Sequence, residues 1–235
     1  NLRSDAAEID PTNDSVPIEY FLDGERSTVN GVGLQLRRTT LSSFFRPIDG
    51  GSLELSLEQV GFLGGDFSWW KADLEWTQFF FMGTDDQGRN RVLRCNARLG
   101  NIFDSVPRVP LWERYYLGGN SLRGFENRTI SPKSVRASDG EPSSDPIGGS
   151  FLAFAGLQYE HPLVGENFAL AVFVDSGTVL SEPGVESWRV AAGIGGRFYL
   201  PFLGPVPMAI DLAWPLVQED LDQTQVLSFR AELPF

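Results

Sequence analysis

Residues 206–215 read Val206-Pro207-Met208-Ala209-Ile210-Asp211-Leu212-Ala213-Trp214-Pro215, and their polarity alternates with a period of two. In an extended chain Val206, Met208, Ile210, Leu212 and Trp214 share one face, and Pro207, Ala209, Asp211, Ala213 and Pro215 share the other. The stretch therefore predicts a strand with one oily face and one small or charged face. The same period recurs near residues 29–38, 51–63, 67–82, 90–103, 150–163, 167–180, 187–200 and 225–235, which makes nine segments. Each is close to the ~10 residues that a tilted strand needs to cross a bilayer.

Composition narrows the class. Of 235 residues, 42% are apolar and 12% aromatic, too many bulky side chains for a disordered chain, and 25 Gly with 15 Pro suit many turns. With 31 acids against 19 bases the net charge is -12, the wrong sign for tracking phosphates, so no nucleic-acid partner is expected. The lone Cys95 excludes an internal disulfide, and the lone His161 excludes a paired-histidine or Cys/His metal site. His161 has no nucleophile partner beside it, so neither an enzyme nor a cofactor is expected. The longest apolar run, Phe168 to Val174, is far below the ~20 residues of a membrane-spanning helix. The opening Asn1-Leu2-Arg3-Ser4-Asp5 has no initiator Met and no cationic-then-apolar leader, which reads as a mature product or a fragment.

What the two faces carry separates a membrane strand from a soluble one. Trp70, Ala72, Leu74 and Trp76 oppose Lys71, Asp73 and Glu75, and Leu93, Cys95, Ala97 and Leu99 oppose Arg94, Asn96 and Arg98. Aromatics gather at segment ends. Phe62, Phe67, Trp69, Trp70, Trp188 and Trp214 form one set, and Phe79, Phe80, Phe81, Tyr159, Phe198, Tyr199 and Phe235 the other. In antiparallel strands the sets fall at opposite rims, the two girdles of a transmembrane β-barrel. The fold class is therefore all-β, an antiparallel transmembrane barrel. Most connections are short Gly/Asn/Asp/Pro turns, but residues 104–149 are far longer than a hairpin loop, a length usually reserved for function.

That loop contains Glu113-Arg114-Tyr115-Tyr116-Leu117-Gly118-Gly119-Asn120-Ser121-Leu122-Arg123-Gly124-Phe125. The stretch resembles the E-R-[FY]-[FY]-x-G-G-x-x-S-[VL]-R-G-[FY] signature of the sixth extracellular loop in the BamA/TamA family of outer-membrane barrel assembly factors. Gln158-Tyr159-Glu160-His161-Pro162-Leu163 is similar to that family's E-[YF]-x-x-P-L strand end, and Phe173-Val174-Asp175-Ser176-Gly177 to its F-x-D-x-G motif. Residues 206–215 are similar to its L-D-x-A-x-P-L strand. The resemblance implies a barrel of about sixteen strands behind periplasmic POTRA repeats, of which residues 29–235 supply the C-terminal nine and residues 1–28 an acidic extracellular loop remnant. It implies insertion of β-barrel or autotransporter clients through a lateral seam in the bacterial outer membrane, without a cofactor. A two-partner-secretion pore, or the barrel anchor of a patatin-like enzyme, shares enough of the pattern to stand as an alternative. Client barrel proteins, outer-membrane lipid and lipopolysaccharide, and periplasmic or lipoprotein partners through the POTRA repeats are the implied partners.

Alternation assigns directions to the motif residues. Phe173, Asp175 and Gly177 share a face opposite Val172 and Val174, and Glu160 shares a face with Gln158 opposite Leu157 and Tyr159. Two inward carboxylates, Asp175 and Glu160, repel unless a cation lies between them, and Arg123 on a long loop supplies a planar fork. The expectation is a lumenal latch of Arg123, Gly124, Phe125, Glu160, Asp175 and Gly177, with Glu113, Arg114, Gly118 and Gly119 shaping the loop. The last segment offers Leu227, Phe229, Leu233 and Phe235 as an insertion signal and seam, with Glu232 where the family has Gly and Pro234 removing a donor. The turn from Arg38 to Gly50 keeps the family's Phe44, Pro47 and Gly50 but lacks both of its acids. The net charge concentrates in residues 1–28, 181–187 and 217–223, an acidic extracellular rim expected to face lipopolysaccharide and its divalent cations.

Overall fold

The computed structural model describes residues 28–104, 109–136, 139–165, 167–199 and 207–231. Nearly all of the acidic segment 1–28 lies outside the described residues, as do Val206, Glu232, Leu233, Pro234 and Phe235. The strands are β1 (Gly31–Thr39), β2 (Gly50–Val60), β3 (Trp69–Thr84), β4 (Asn90–Phe103), β5 (Gly124–Phe125), β6 (Lys133–Val135), β7 (Pro142–Pro146), β8 (Phe151–Val164), β9 (Phe168–Leu180), β10 (Arg189–Phe198), β11 (Met208–Val217), β12 (Thr224–Gln225) and β13 (Leu227–Ala231).

Nine of them form one antiparallel sheet in the order β1-β2-β3-β4-β8-β9-β10-β11-β13, while β5 pairs with β12 and β6 with β7. The strands of the large sheet are laid down in chain order, most of them joined by tight turns that leave an antiparallel hairpin as the shortest connection, while β4 and β8 pair across the long connection that holds β5, β6 and β7. The turn between β3 and β4 shows how local chemistry sets this up. Asp85 accepts from the backbone N–H groups of Gln87 and Arg89, both at 2.9 Å, and Gly88 takes φ 75°. The hydrogen bond from the Arg89 guanidinium, with those backbone donors, lowers the Asp85 carboxyl to about 2.

The sheet is curved, with its oily face outside. On β9 Leu170, Val172 and Val174 are exposed, whereas Ala169, Ala171, Phe173 and Asp175 are buried. On β11 Ile210, Leu212 and Trp214 are exposed, and Ala209, Asp211 and Ala213 are buried. This is a soluble core reversed: aliphatics face outward to lipid and the small and charged residues line the concave side. The sheet is open, with β1 and β13 as its edges. Three of the expected girdle positions need correction. Phe62, Trp70 and Trp214 point outward at one end, but Trp69 is 2% exposed and packs inside. At the other end Phe80 and Phe81 point outward, while Phe79 and Tyr199 are buried. Trp69 and Phe79 each begin a run of consecutive aromatics, so alternation turns the first ring inward and the second outward.

Candidate functional site

The connection between β4 and β8 folds back onto the concave face instead of standing clear of it. Its Tyr115, Leu117, Leu122, Phe125 and Ile130 are buried with Val60, Trp69, Ile102, Leu152, Val179 and Ala191, drawn from six strands of the sheet. Each such side chain contributes on the order of 2 kcal/mol by leaving water. The loop therefore supplies the apolar half of a core whose other half is the sheet. Several of its backbone amides bond within the loop. Leu117 and Ile130 exchange both N–H···O bonds at 3.0 Å, Tyr115 and Gly149 do the same at 2.9 and 3.0 Å, and Gly119 donates to the Phe125 carbonyl at 2.8 Å.

The aromatic and glycine residues ahead of Arg123 set its depth. The Tyr115 ring lies against Gly100, where a Cβ would come within 2.6 Å of it, and its hydroxyl donates to Asp73 at 2.7 Å. Arg114 donates to the carbonyls of Val109 at 2.7 Å and Ile147 at 3.0 Å, clamping the two ends of the loop together. Burial lowers the Arg114 guanidinium from its ordinary value and raises the Tyr116 phenol. Tyr116 donates to the Leu111 carbonyl at 2.8 Å, and the Arg128 guanidinium stacks 3.9 Å from its ring centroid. Glu113 contributes its carbonyl, which accepts from Lys71 at 3.0 Å. Gly118 has φ 120°, and a Cβ there would lie 2.0 Å from the Glu126 carbonyl oxygen, so glycine alone fits this reversal.

Arg123 then reaches the middle of the wall. Its Nε donates to Asp175 Oδ2 at 2.7 Å and its Nη2 to Asp175 Oδ1 at 2.8 Å, a bidentate fork between groups 7% and 3% exposed. The backbone N–H of Arg123 adds a third contact to Oδ2 at 3.3 Å, and its guanidinium carbon stands 3.4 Å from the Phe173 ring centroid. Nη1 donates to Gln158 Oε1 at 2.8 Å and approaches Asp211 Oδ2 at 3.5 Å.

One expectation is corrected here. Glu160 is not a direct partner of Arg123; its carboxylate accepts from Gln158 Nε2 at 2.8 Å and from the Tyr199 hydroxyl at 2.9 Å. Glu160 lies one pleat further along β8, so Gln158 occupies the position nearest Arg123 and relays to Glu160. The second carboxylate near Arg123 is Asp211 on β11, which also holds Arg197 of β10 at 2.6 Å. Arg197 in turn donates to Gln158 Oε1 at 2.6 Å. Gly195 makes room for this pair, since a Cβ there would sit 1.9 Å from Asp211 Oδ1. Gly124, Phe125 and Gly177 are all at the contact between loop and wall, and Gly177 faces Leu117 and Leu122. Leu227 and Phe229 lie on the exposed outer face of β13.

The sequence points to neither Asp211 nor Arg197 as a latch residue, and it places Tyr199 on a rim, not on Glu160. Asp211 and Arg197 carried a usable signal, because each interrupts an inward face otherwise built of Ala and Gly. A second ion cluster was not anticipated at all. Arg189 donates to Asp222 at 2.8 Å and to Glu219 at 2.7 Å, with Arg189 and Asp222 3% and 0% exposed. Two of the acids expected on an outer rim at residues 217–223 are thus engaged by Arg189, which removes Asp222 from any surface. Among the described residues, no group of His, Cys, Asp and Glu is placed to hold a metal ion.

Known proteins are similar to this chain in sequence and fold. Residues 2–234 match the Omp85 superfamily domain. The chain is 34% identical over 122 residues to the outer membrane protein assembly factor BamA of Nitratidesulfovibrio vulgaris, covering 50% of this chain and 14% of that protein. It is 26% identical over 217 residues to the BamA of Neorickettsia risticii, covering 88% and 27%. It is 28% identical over 162 residues to the human sorting and assembly machinery component 50 homolog, covering 59% and 29%. The chain thus spans well under half the length of these relatives. The crystal structure of Haemophilus ducreyi BamA lacking POTRA domains 1–3 superimposes with a TM-score of 0.73 at 21% identity, over 85% of this chain and 41% of that one, and so shares the fold. With the match running almost end to end and the nine strands curved around an inserted loop, the chain belongs to the Omp85 superfamily and is a bacterial outer-membrane β-barrel protein.

Proposed function

We propose that this chain is the C-terminal part of the barrel of an outer-membrane protein assembly factor, one that inserts β-barrel clients through a seam at the last strand. The observation that carries the reading is the loop on the concave face, tied by the Arg123–Asp175 fork and continuous with the segment that leads into β13. A porin-like pore gains nothing from such a contact, whereas a machine whose last strand must be held and released does. Relatives named as assembly factors support the same reading. In it the loop end of the sheet is extracellular and the turn at residues 85–89 is periplasmic. Leu227 and Phe229 present the last strand to lipid, and client strands pair with its free edge by β-augmentation. Acids of residues 181–187 face the lipopolysaccharide layer, and periplasmic or lipoprotein partners act through POTRA repeats.

The test is depletion of the full-length protein in its own cells, followed by heat-modifiability of the resident outer-membrane barrels. Loss of the folded, fast-migrating forms of several unrelated barrels is expected. Normal folding of those barrels, with a single secreted protein accumulating inside, would replace this reading by a dedicated secretion pore.

A further inference from the structure

The last strand is split between two partners, and the inserted loop is one of them. β13 pairs with β11 from Met208↔Ala231 to Leu212↔Leu227, and the Ala213 amide still donates to the Val226 carbonyl at 2.9 Å. If that register continued, Trp214 would pair with Gln225, Pro215 with Thr224, Leu216 with Gln223 and Val217 with Asp222. None of these pairs forms. The chain bends at Val226, and Thr224 and Gln225 pair instead with Phe125 and Gly124 of the loop.

The diversion is held on both sides. Glu126 N–H donates to the Gln223 carbonyl at 2.9 Å, and Gln223 N–H donates to Thr129 Oγ1 at 2.9 Å. Beyond them Arg189 binds Asp222 and Glu219, which sets the incoming connection. Further down β13, Arg230 reaches the Asn120 carbonyl at 3.4 Å, so the loop touches the last strand at two levels. The loop can lie this close to the wall because Gly124 has no Cβ; one there would meet Ala191 Cβ at 3.1 Å and Ala213 Cβ at 3.4 Å.

The sequence opposes the alternative pairing only weakly. Extending β13 along β11 would bring Gln225 and Gln223 to the outer face beside Trp214 and Leu216, and Pro215 has no N–H to offer. Glutamine at the membrane rim is tolerable, so the two arrangements differ by few contacts, as a bistable element requires.

We propose that the inserted loop is a strand-exchange clamp, in which β5 and Thr129, aided by Arg189, compete with β11 for residues 222–225 and so set how far the last strand zips onto its neighbour. While Arg123 holds Asp175, the upper half of the strand belongs to the loop. When the loop leaves, that half adds to β11. The consequence for client insertion rests on the assembly reading, but the exchange itself does not.

Paired cysteines test it in the full-length protein in its native membrane, with Cys95→Ala as background. Phe125→Cys with Thr224→Cys reports the clamped pairing, and Trp214→Cys with Gln225→Cys reports the zipped one, because cross-strand partners stand within disulfide reach. The parent should cross-link strongly at 125–224 and hardly at 214–225. Adding Arg123→Ala should shift that ratio by about tenfold or more toward 214–225, the scale of losing a buried charge partner. Thr129→Val, which keeps the Arg123 fork, should shift it in the same direction by a smaller factor and guards against an Arg123→Ala chain that does not fold. Unchanged ratios in both variants, or strong 214–225 cross-linking in the parent, would overturn the clamp. Neither outcome bears on whether the protein assembles clients.

Discussion

Replacing Asp175 by Asn keeps the shape of the fork partner and removes its charge. In the parent, Asp175 accepts at 2.7 Å and 2.8 Å from two nitrogens of one guanidinium and at 3.3 Å from the Arg123 backbone. An amide has one oxygen to offer, and its NH2 would point a donor at a donor. Removing one member of a buried ion pair costs roughly 3–5 kcal/mol because the survivor is left uncompensated. The remaining oxygen still accepts one hydrogen bond from a charged donor, and Asp211 stands 3.5 Å from Nη1 to carry part of the charge. Asp211 cannot move closer without loosening its 2.6 Å contact to Arg197. The net penalty is therefore about 2–3 kcal/mol, which at about 1.36 kcal/mol per decade raises the released fraction of the loop roughly 30- to 150-fold. Amide hydrogen exchange reads that fraction directly. The N–H groups of Glu126 and Gln223 bond across the contact between the loop and the segment leading into β13, so both are hydrogen-bonded only while the loop is seated, and their exchange should accelerate by that factor. Amides of β8 and β9 should not follow. Glu160→Gln, which leaves the fork untouched, should accelerate the loop amides less. Exchange within a factor of about three of the parent in Asp175→Asn, or a larger effect from Glu160→Gln, would refute the assignment of Asp175 as the principal partner.

Gln158→Glu restores a carboxylate at the position nearest Arg123 but removes the donor that Glu160 accepts at 2.8 Å, so two acids face each other along β8. No gain in loop protection is expected despite the added charge, and a thermal shift upward would show that the Gln158–Glu160 bond is dispensable. Gly177→Ala places a Cβ 2.8 Å from Leu117 Cδ1 and 2.9 Å from the Ala153 carbonyl oxygen, and an overpacking cost of about 1–3 kcal/mol should appear as faster loop exchange with the strands intact. Asp85 has a folded value depressed from 3.8 to about 2, so its contribution to the turn is complete above its unfolded value and is lost as the pH falls through the folded one. Between about pH 4 and 2 the Gln87 and Arg89 amides should lose protection in the parent and show no such step in Asp85→Asn.

How much of this was readable before the structure follows from the range of the interactions. The nine long strands were legible because period-two patterning is local, and the predicted segments overlap the observed strands within a few residues. Asp175 was legible through its motif and its side of the pleat. Asp211 and Gln158 sat in quoted motifs, yet nothing local says which of three inward polar groups lies nearest a loop arriving from fifty residues away. The same limit placed Glu160 one pleat too close. The split at Val226 was invisible for a similar reason: residues 222–225 continue an acceptable strand pattern, and their diversion is decided by β5, about a hundred residues earlier in the chain. The short β6–β7 hairpin, with Lys133 opposite Pro146, is too brief to show any period.

The latch combines two kinds of contact with different consequences. Apolar side chains at the loop end of the sheet give most of the holding energy, but a greasy loop on a greasy wall can shift by a residue at little cost. The Arg123 fork cannot, since its bidentate geometry admits one depth and one orientation, and any slip leaves both ions buried and unpaired. Buried ion pairs add little net stability over an apolar filling, so the fork is better explained by position than by strength. That position is what the adjacent residues use. Gly124 and Phe125 follow Arg123 directly in the chain, and their backbone is the edge onto which Thr224 and Gln225 are added. A fork fixed against Asp175 on β9 therefore sets, one residue later, the register in which the loop grips the last strand.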